Sequence, residues 1–143
     1  MITFTELKKK IVSDLKSIKD IEVAFEELSK TKESEMLDEW FFVTLLPVTN
    51  QLNGEKMRDR SFIIDIAYWH KAQSRKRYFE MNESLDKVFQ PCFHILDRHI
   101  TIPEVTFRIV DDVAHYVFTL KFTDLVDKPQ DGVPAEELDF SII

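Results

Sequence analysis

The chain has 143 residues, 44% hydrophobic and 31% charged, which describes one globular domain with a real core and is too apolar for wholesale disorder. Its two glycines cannot write a Gly-x-Gly-x-x-Gly or a Walker phosphate loop, and its single cysteine, Cys92, excludes an internal disulfide framework and a cysteine-based zinc cage. The formal net charge of −7 argues against a general affinity for DNA, because phosphate neutralisation needs clustered Lys and Arg.

In chain order, Thr3 or Thr5 caps a first helix ending near Lys19, with Leu7, Ile11, Leu15 and Ile18 as its apolar stripe. Ile21 to Phe25 reads as a short strand and the charged stretch Glu26 to Glu39 as an exposed loop. Trp40 to Val48 reads as a strong strand, apolar on both faces: Trp40, Phe42 and Leu46 on one, Phe41, Val43 and Leu45 on the other. Phe42 and Leu46 are the expected core residues. Pro47 belongs where no ladder bond is needed. Asn50 to Lys56 is a polar turn carrying Asn53-Gly54, a hairpin signal.

Met57 to His70 returns as a long strand, with Phe62, Ile64, Ile66 and Tyr68 on one face and Ile63, Asp65, Ala67 and Trp69 on the other. A second helix runs from about Ser74, its cap, to Gln90. Tyr78, Met81, Leu85, Val88 and Phe89 form its buried stripe, and Pro91 stops it. Cys92 to Leu96 and Ile100 to Ile102 form two short strands around an Asp97-Arg98 turn. Val105 to Val110 and Ala114 to Phe122 form a last hairpin turning at Asp111-Asp112, with Tyr116, Phe118, Leu120 and Phe122 inward. Hairpins with few crossovers predict an α+β fold, a mainly antiparallel sheet with two helices packed on one face. Residues 1–124 make the single domain, and 125–143 an acidic, flexible C-terminal tail.

The candidate chemistry is thin. His70, His94, His99 and His115 lack His-x-His or His-Glu-x-x-His spacing and read as surface or edge-strand histidines, although His94 and His99 could face each other across their turn. Asp65 sits mid-strand where a metal-dependent nuclease would place an acid, but no Glu-x-Lys triplet follows on the next strand. Cys92 and His94 share a strand face without an orienting third group. No catalytic residue, cofactor or metal is therefore expected.

Charge is uneven. Residues 56–77 hold Lys56, Arg58, Arg60, Lys71, Arg75, Lys76 and Arg77 against Asp59 and Asp65, whereas the last stretch is acidic. Three cations at a helix start oppose the helix dipole. They fit a solvated helix start, an acidic protein partner, or nucleic acid with Tyr68, Trp69 and Tyr78 stacking on bases. Arg58, Arg60, Trp69, Lys71, Arg75, Lys76 and Arg77 are the candidate partner interface. No segment is long and apolar enough to span a membrane, and the lysine-rich start lacks the apolar run of a signal peptide, so the chain reads as cytosolic.

Three stretches carry a family resemblance: Met1 to Ile11; Phe41 to Pro47 with the basic-tipped strand Arg60 to Tyr68; and Ile109 to Asp124. In order and texture the chain resembles the small tail terminator (tail completion) proteins of long-tailed phages and prophages of Gram-positive bacteria. The resemblance implies an α+β structural protein, not an enzyme. It would form a homo-oligomeric ring, a hexamer, on the head-proximal end of the tail tube, stop tube polymerisation and help join tail to head. Its partners would be tail tube protein and head–tail connector proteins, with no membrane and no specific nucleic acid binding. It would assemble in the host cytoplasm and reside in the virion tail or neck. The charged stretch before Trp40 lacks a Gly-Phe-x-x-Pro-like lead, and the acidic tail is extra. These departures keep a head–tail connector or head-completion subunit open, and a small nucleic-acid-binding module or metal-dependent nuclease remains the rival from another class.

Overall fold

The computed structural model describes residues 2–25 and 38–125. It is an α+β fold of two helices, a five-stranded mixed sheet that is mainly antiparallel, and a separate two-stranded ribbon. The elements are α1 (Phe4–Ile18), β1 (Glu22–Phe25), β2 (Glu39–Leu52), β3 (Met57–His70), α2 (Arg75–Phe89), β4 (Cys92–Ile95), β5 (Arg98–Thr101), β6 (Val105–Val110) and β7 (Val113–Leu125). The sheet order is β1-β2-β3-β7-β6, with β1 parallel to β2 and every other pair antiparallel. The ribbon is β4-β5.

Local chemistry sets the helix ends. Thr3 caps α1 by a reciprocal pair of bonds: its hydroxyl accepts from the Glu6 amide at 3.2 Å, and the Glu6 carboxylate accepts from the Thr3 amide at 2.8 Å. Leu7, Ile11 and Leu15, four apart, then fall on one face and are fully buried. Ser74 caps α2 by accepting from the Arg77 amide, and Tyr78, Met81, Leu85 and Phe89 are its buried stripe. Val88 is only partly buried against that core.

Each long strand buries one alternate set of side chains. Phe41, Val43 and Leu45 of β2, Phe62, Ile64, Ile66 and Tyr68 of β3, and Tyr116, Phe118, Leu120 and Phe122 of β7 join the two helix stripes in one cluster. Phe93, Ile95, Ile100 and Ile102 extend it under the ribbon. Phe89 is a junction, its ring 6.2 Å from Phe93, 6.2 Å from Tyr116 and 5.5 Å from Phe118.

The structure inverts the expected faces of β2. Phe42 is only half-buried and Leu46 is 53% exposed, while Phe41, Val43 and Leu45 point into the core. A β-bulge is the cause. Near the turn Leu52 opposes Arg58 and Asn50 opposes Arg60; carried back unbroken, that register would set Leu46 against Ile64 and Phe42 against Tyr68. The shift between Pro47 and Thr49 inserts one residue, so Leu45 meets Ile64 and Phe41 meets Tyr68 instead. Opposed residues share a face, and a one-residue slip exchanges the faces. Pro47 sits at this irregularity, where a missing donor costs least.

Three boundaries also differ from expectation. Strand β2 continues to Leu52, and the turn is confined to 53–56, closed by the Asn53 amide donating to the Met57 carbonyl at 2.8 Å, with Gly54 at φ +83. The ribbon turns at Leu96 and Asp97, Leu96 taking the positive φ, so Arg98 belongs to β5. Strand β7 runs to Leu125, and Asp124, expected at the domain's edge, is among its buried residues. The stretches expected as a charged loop and as an acidic tail lie, over 26–37 and 126–143, outside the described residues.

Candidate functional site

The candidate interface does not form one patch. Arg58 and Arg60 stand at the start of β3, and Trp69, Lys71 and Arg75 to Arg77 lie at or beyond its other end. At ~3.3 Å per residue, Arg58 and Lys71 are roughly 40 Å apart.

At the hairpin end Arg60 is committed internally. Its side chain is 12% exposed and donates to Asp124, at 3.0 Å, and to the Ile2 carbonyl. Asp124, 3% exposed, also accepts from Arg98 and from the Ile2 amide at 3.2 Å. Both guanidiniums lie over the Phe122 ring, each 5.4 Å from its centre, and Phe122 stacks on Phe62 at 6.1 Å. Arg60 therefore ties the start of α1 to β3 and β7, a nearly buried cation taking the nearest anion. Arg58 donates to Asn50 at 2.9 Å, and its Nε has no partner among the described residues.

Exposed hydrophobes stand among the polar residues of this half of the sheet. Leu46, Val48, Leu52, Met57 and Leu125 are all exposed. Met57 and Leu125 are directly opposed in the β3–β7 register, a pairing that sequence reading missed.

At the opposite end, Trp69 stacks on Trp40 across the β2–β3 pair, at 5.8 Å between rings and 20° between planes. Beside them Glu39 accepts from the Tyr68 hydroxyl at 2.5 Å and pairs with Lys19 at 3.0 Å. Burial works against the Glu39 carboxylate, but the bonds from Tyr68 and Lys19 outweigh it and lower its pKa. Burial and the same carboxylate push the Tyr68 hydroxyl well up. Lys71 is exposed, 3.8 Å from an equally exposed Asp38. Arg75, Lys76 and Arg77 are exposed at the start of α2, whose first turn holds no acid.

The second face of the sheet carries Trp40, Phe42, Leu46, Ile63, Trp69 and Val117, all half-buried or exposed. Asp65 lies there and bonds His115 Nδ1 at 3.0 Å. A single acid paired with a histidine is not the acid cluster of a metal-dependent nuclease. On the ribbon, Cys92, His94 and His99 come together, their ligand atoms all within 4.8 Å of one another. His70 Nδ1 accepts from the Ala72 amide.

Fold and surface together define an α+β protein whose sheet presents half-buried aromatics and exposed aliphatics beside a basic helix start. The model of the phage tail terminator protein family matches residues 6–132. The chain belongs to that family, a structural component of the phage tail. No curated protein matches the sequence. Among the described residues no helix is long and apolar enough to cross a membrane.

Proposed function

We propose that this protein caps the tail tube at its head-proximal end and helps join tail to head, as one subunit of a closed homo-oligomeric ring, a hexamer, assembled in the host cytoplasm and kept in the virion neck. It acts by binding, without catalysis. The observation that carries the reading is the second sheet face with its Trp40–Trp69 stack, Phe42, Leu46 and Ile63. In this reading both helices cover the other face, and an apolar sheet face of this kind is left for neighbouring subunits or the tube. A head-to-tail contact whose rotation closes makes a ring, whereas one that does not close makes a filament, which a terminator must avoid.

Trp69, Lys71, Arg75, Lys76 and Arg77 form the basic margin of this interface, with Arg58 contributing separately from the hairpin end. An acidic surface facing Arg75 to Arg77 would offset their unfavourable position on the helix dipole. The acidic sequence 126–143 of a neighbouring copy has that charge. Residues 1–124 act as one domain in this reading, and head–tail connector proteins meet the ring from the other side.

The test adds the protein to polymerising tail tube protein and reads tube length by electron microscopy, alongside mass measurement over a concentration range. Short, capped tubes are expected. A triple change of Arg75, Lys76 and Arg77 to Glu is expected to weaken assembly while circular dichroism stays unchanged. Tubes of equal length with and without the protein, and no oligomer at any concentration, would refute the reading.

A further inference from the structure

We propose that the outer face of the β4–β5 ribbon is a metal site, in which Cys92 Sγ and the imidazoles of His94 and His99 bind one Zn2+ or a similar borderline divalent ion. The ribbon's alternation builds it. Phe93, Ile95 and Ile100 are buried and anchor the ribbon on the core. Cys92, His94 and His99 therefore take the other face. His94 and His99 are directly opposed in the register, with ring centroids 4.4 Å apart and planes at 85°. Cys92 is two residues from His94 on the same strand, which puts its sulfur beside the pair.

The geometry is close to what zinc requires. The three ligand atoms lie within 4.8 Å of one another. Zinc–nitrogen bonds of ~2.0–2.1 Å and zinc–sulfur bonds of ~2.3 Å in a tetrahedron put ligand atoms roughly 3.3–3.7 Å apart. Both imidazoles are exposed, so small side-chain rotations close the difference while the backbone stays fixed by its ladder. One thiolate and two imidazoles form a donor set suited to zinc and poorly suited to magnesium or calcium. Three protein ligands leave the fourth position to water. Binding displaces the Cys92 proton to solvent and fills the position with the thiolate sulfur. The sequence already allowed His94 and His99 to face each other across their turn and Cys92 to share the face of His94; the strand register brings the three together.

The experiment titrates the full chain with Zn2+ by calorimetry and with Co2+ by absorption, where a thiolate-to-cobalt charge-transfer band reports the sulfur. One ion per chain and that band are expected. Cys92→Ser should abolish the band, and His94→Ala and His99→Ala should each weaken Zn2+ at least about tenfold. His115→Ala, whose ring is held by Asp65, should change nothing. Bound Zn2+ should also slow alkylation of Cys92. Circular dichroism of each variant checks that the exposed substitutions leave the fold intact. Absence of saturable binding at micromolar Zn2+, or an affinity in the His94→Ala and His99→Ala chains equal to that of the parent, overturns the assignment.

Discussion

Replacing Asp124 by Ala removes an anion that three donors share: Arg60, Arg98 and the Ile2 amide. The two cations do not suffer equally. Arg98, 33% exposed, can turn to water, whereas Arg60, 12% exposed, is left nearly buried without a counter-charge. Breaking a buried pair from one side costs about 3–5 kcal/mol. With a urea slope of ~2 kcal/mol/M, the midpoint should fall by roughly 1.5–2.5 M. Asp124→Asn, which keeps one acceptor, should fall by less. Arg98→Ala should cost less than Arg60→Ala. Removing Lys71, whose pair with Asp38 is fully wet, should cost no more than ~1 kcal/mol. Urea unfolding of the five variants, followed by circular dichroism, decides it. An Asp124→Ala midpoint within about 0.5 M of the parent would refute the claim that this network holds the N-terminus to the sheet.

Leu85→Ala, at a 2% exposed core position, should cost about 2–5 kcal/mol in the same assay. Thr3→Ala removes one half of the capping box and should cost ~0.5–2 kcal/mol, read from thermal melts. Tyr68 and Tyr116 should make the fold sensitive to alkali. Burial first, and then the carboxylates of Glu39 and Asp86, raise their folded pKa above the ordinary value of 10.0. The stability they contribute is thus full below that value and is lost as pH rises through the folded pKa. Urea midpoints measured upward from about pH 8 should fall beyond pH ~10 and fall less steeply in Tyr116→Phe.

Much of the fold was legible because its elements carry strong periodic signals. The α1 stripe, the exact span of β3, the Ser74 cap and the inward set of β7 follow from spacing alone. The inward set of β2 did not, since both its faces are apolar and only a bulge chooses between them. Local pattern cannot register a single inserted residue when either register buries hydrophobes. The bond of Arg60 to Asp124 was hidden for a related reason: the two are 64 residues apart, and no sequence window contains both. The basic residues read as one segment because they are near in sequence, yet a long strand carries its two ends far apart. Trp69, Lys71 and Arg75 to Arg77 stay together because the chain turns from β3 into α2 within a few residues.

The position of β7 affects how the molecule is made. It is the last described strand, yet it lies inside the sheet, between β3 and β6. While the ribosome is still adding residues, β3 has no neighbour on that side, and Phe62, Ile64 and Ile66 lack the Leu120, Phe118 and Tyr116 that oppose them. Nothing before Val113 can substitute, so the nascent chain carries an incomplete sheet until Leu125 has cleared the exit tunnel. The same strand carries Asp124 back to the Ile2 amide at the start of the chain. A chain cut short before Val113 would therefore leave one edge of β3 open and its core side chains uncovered.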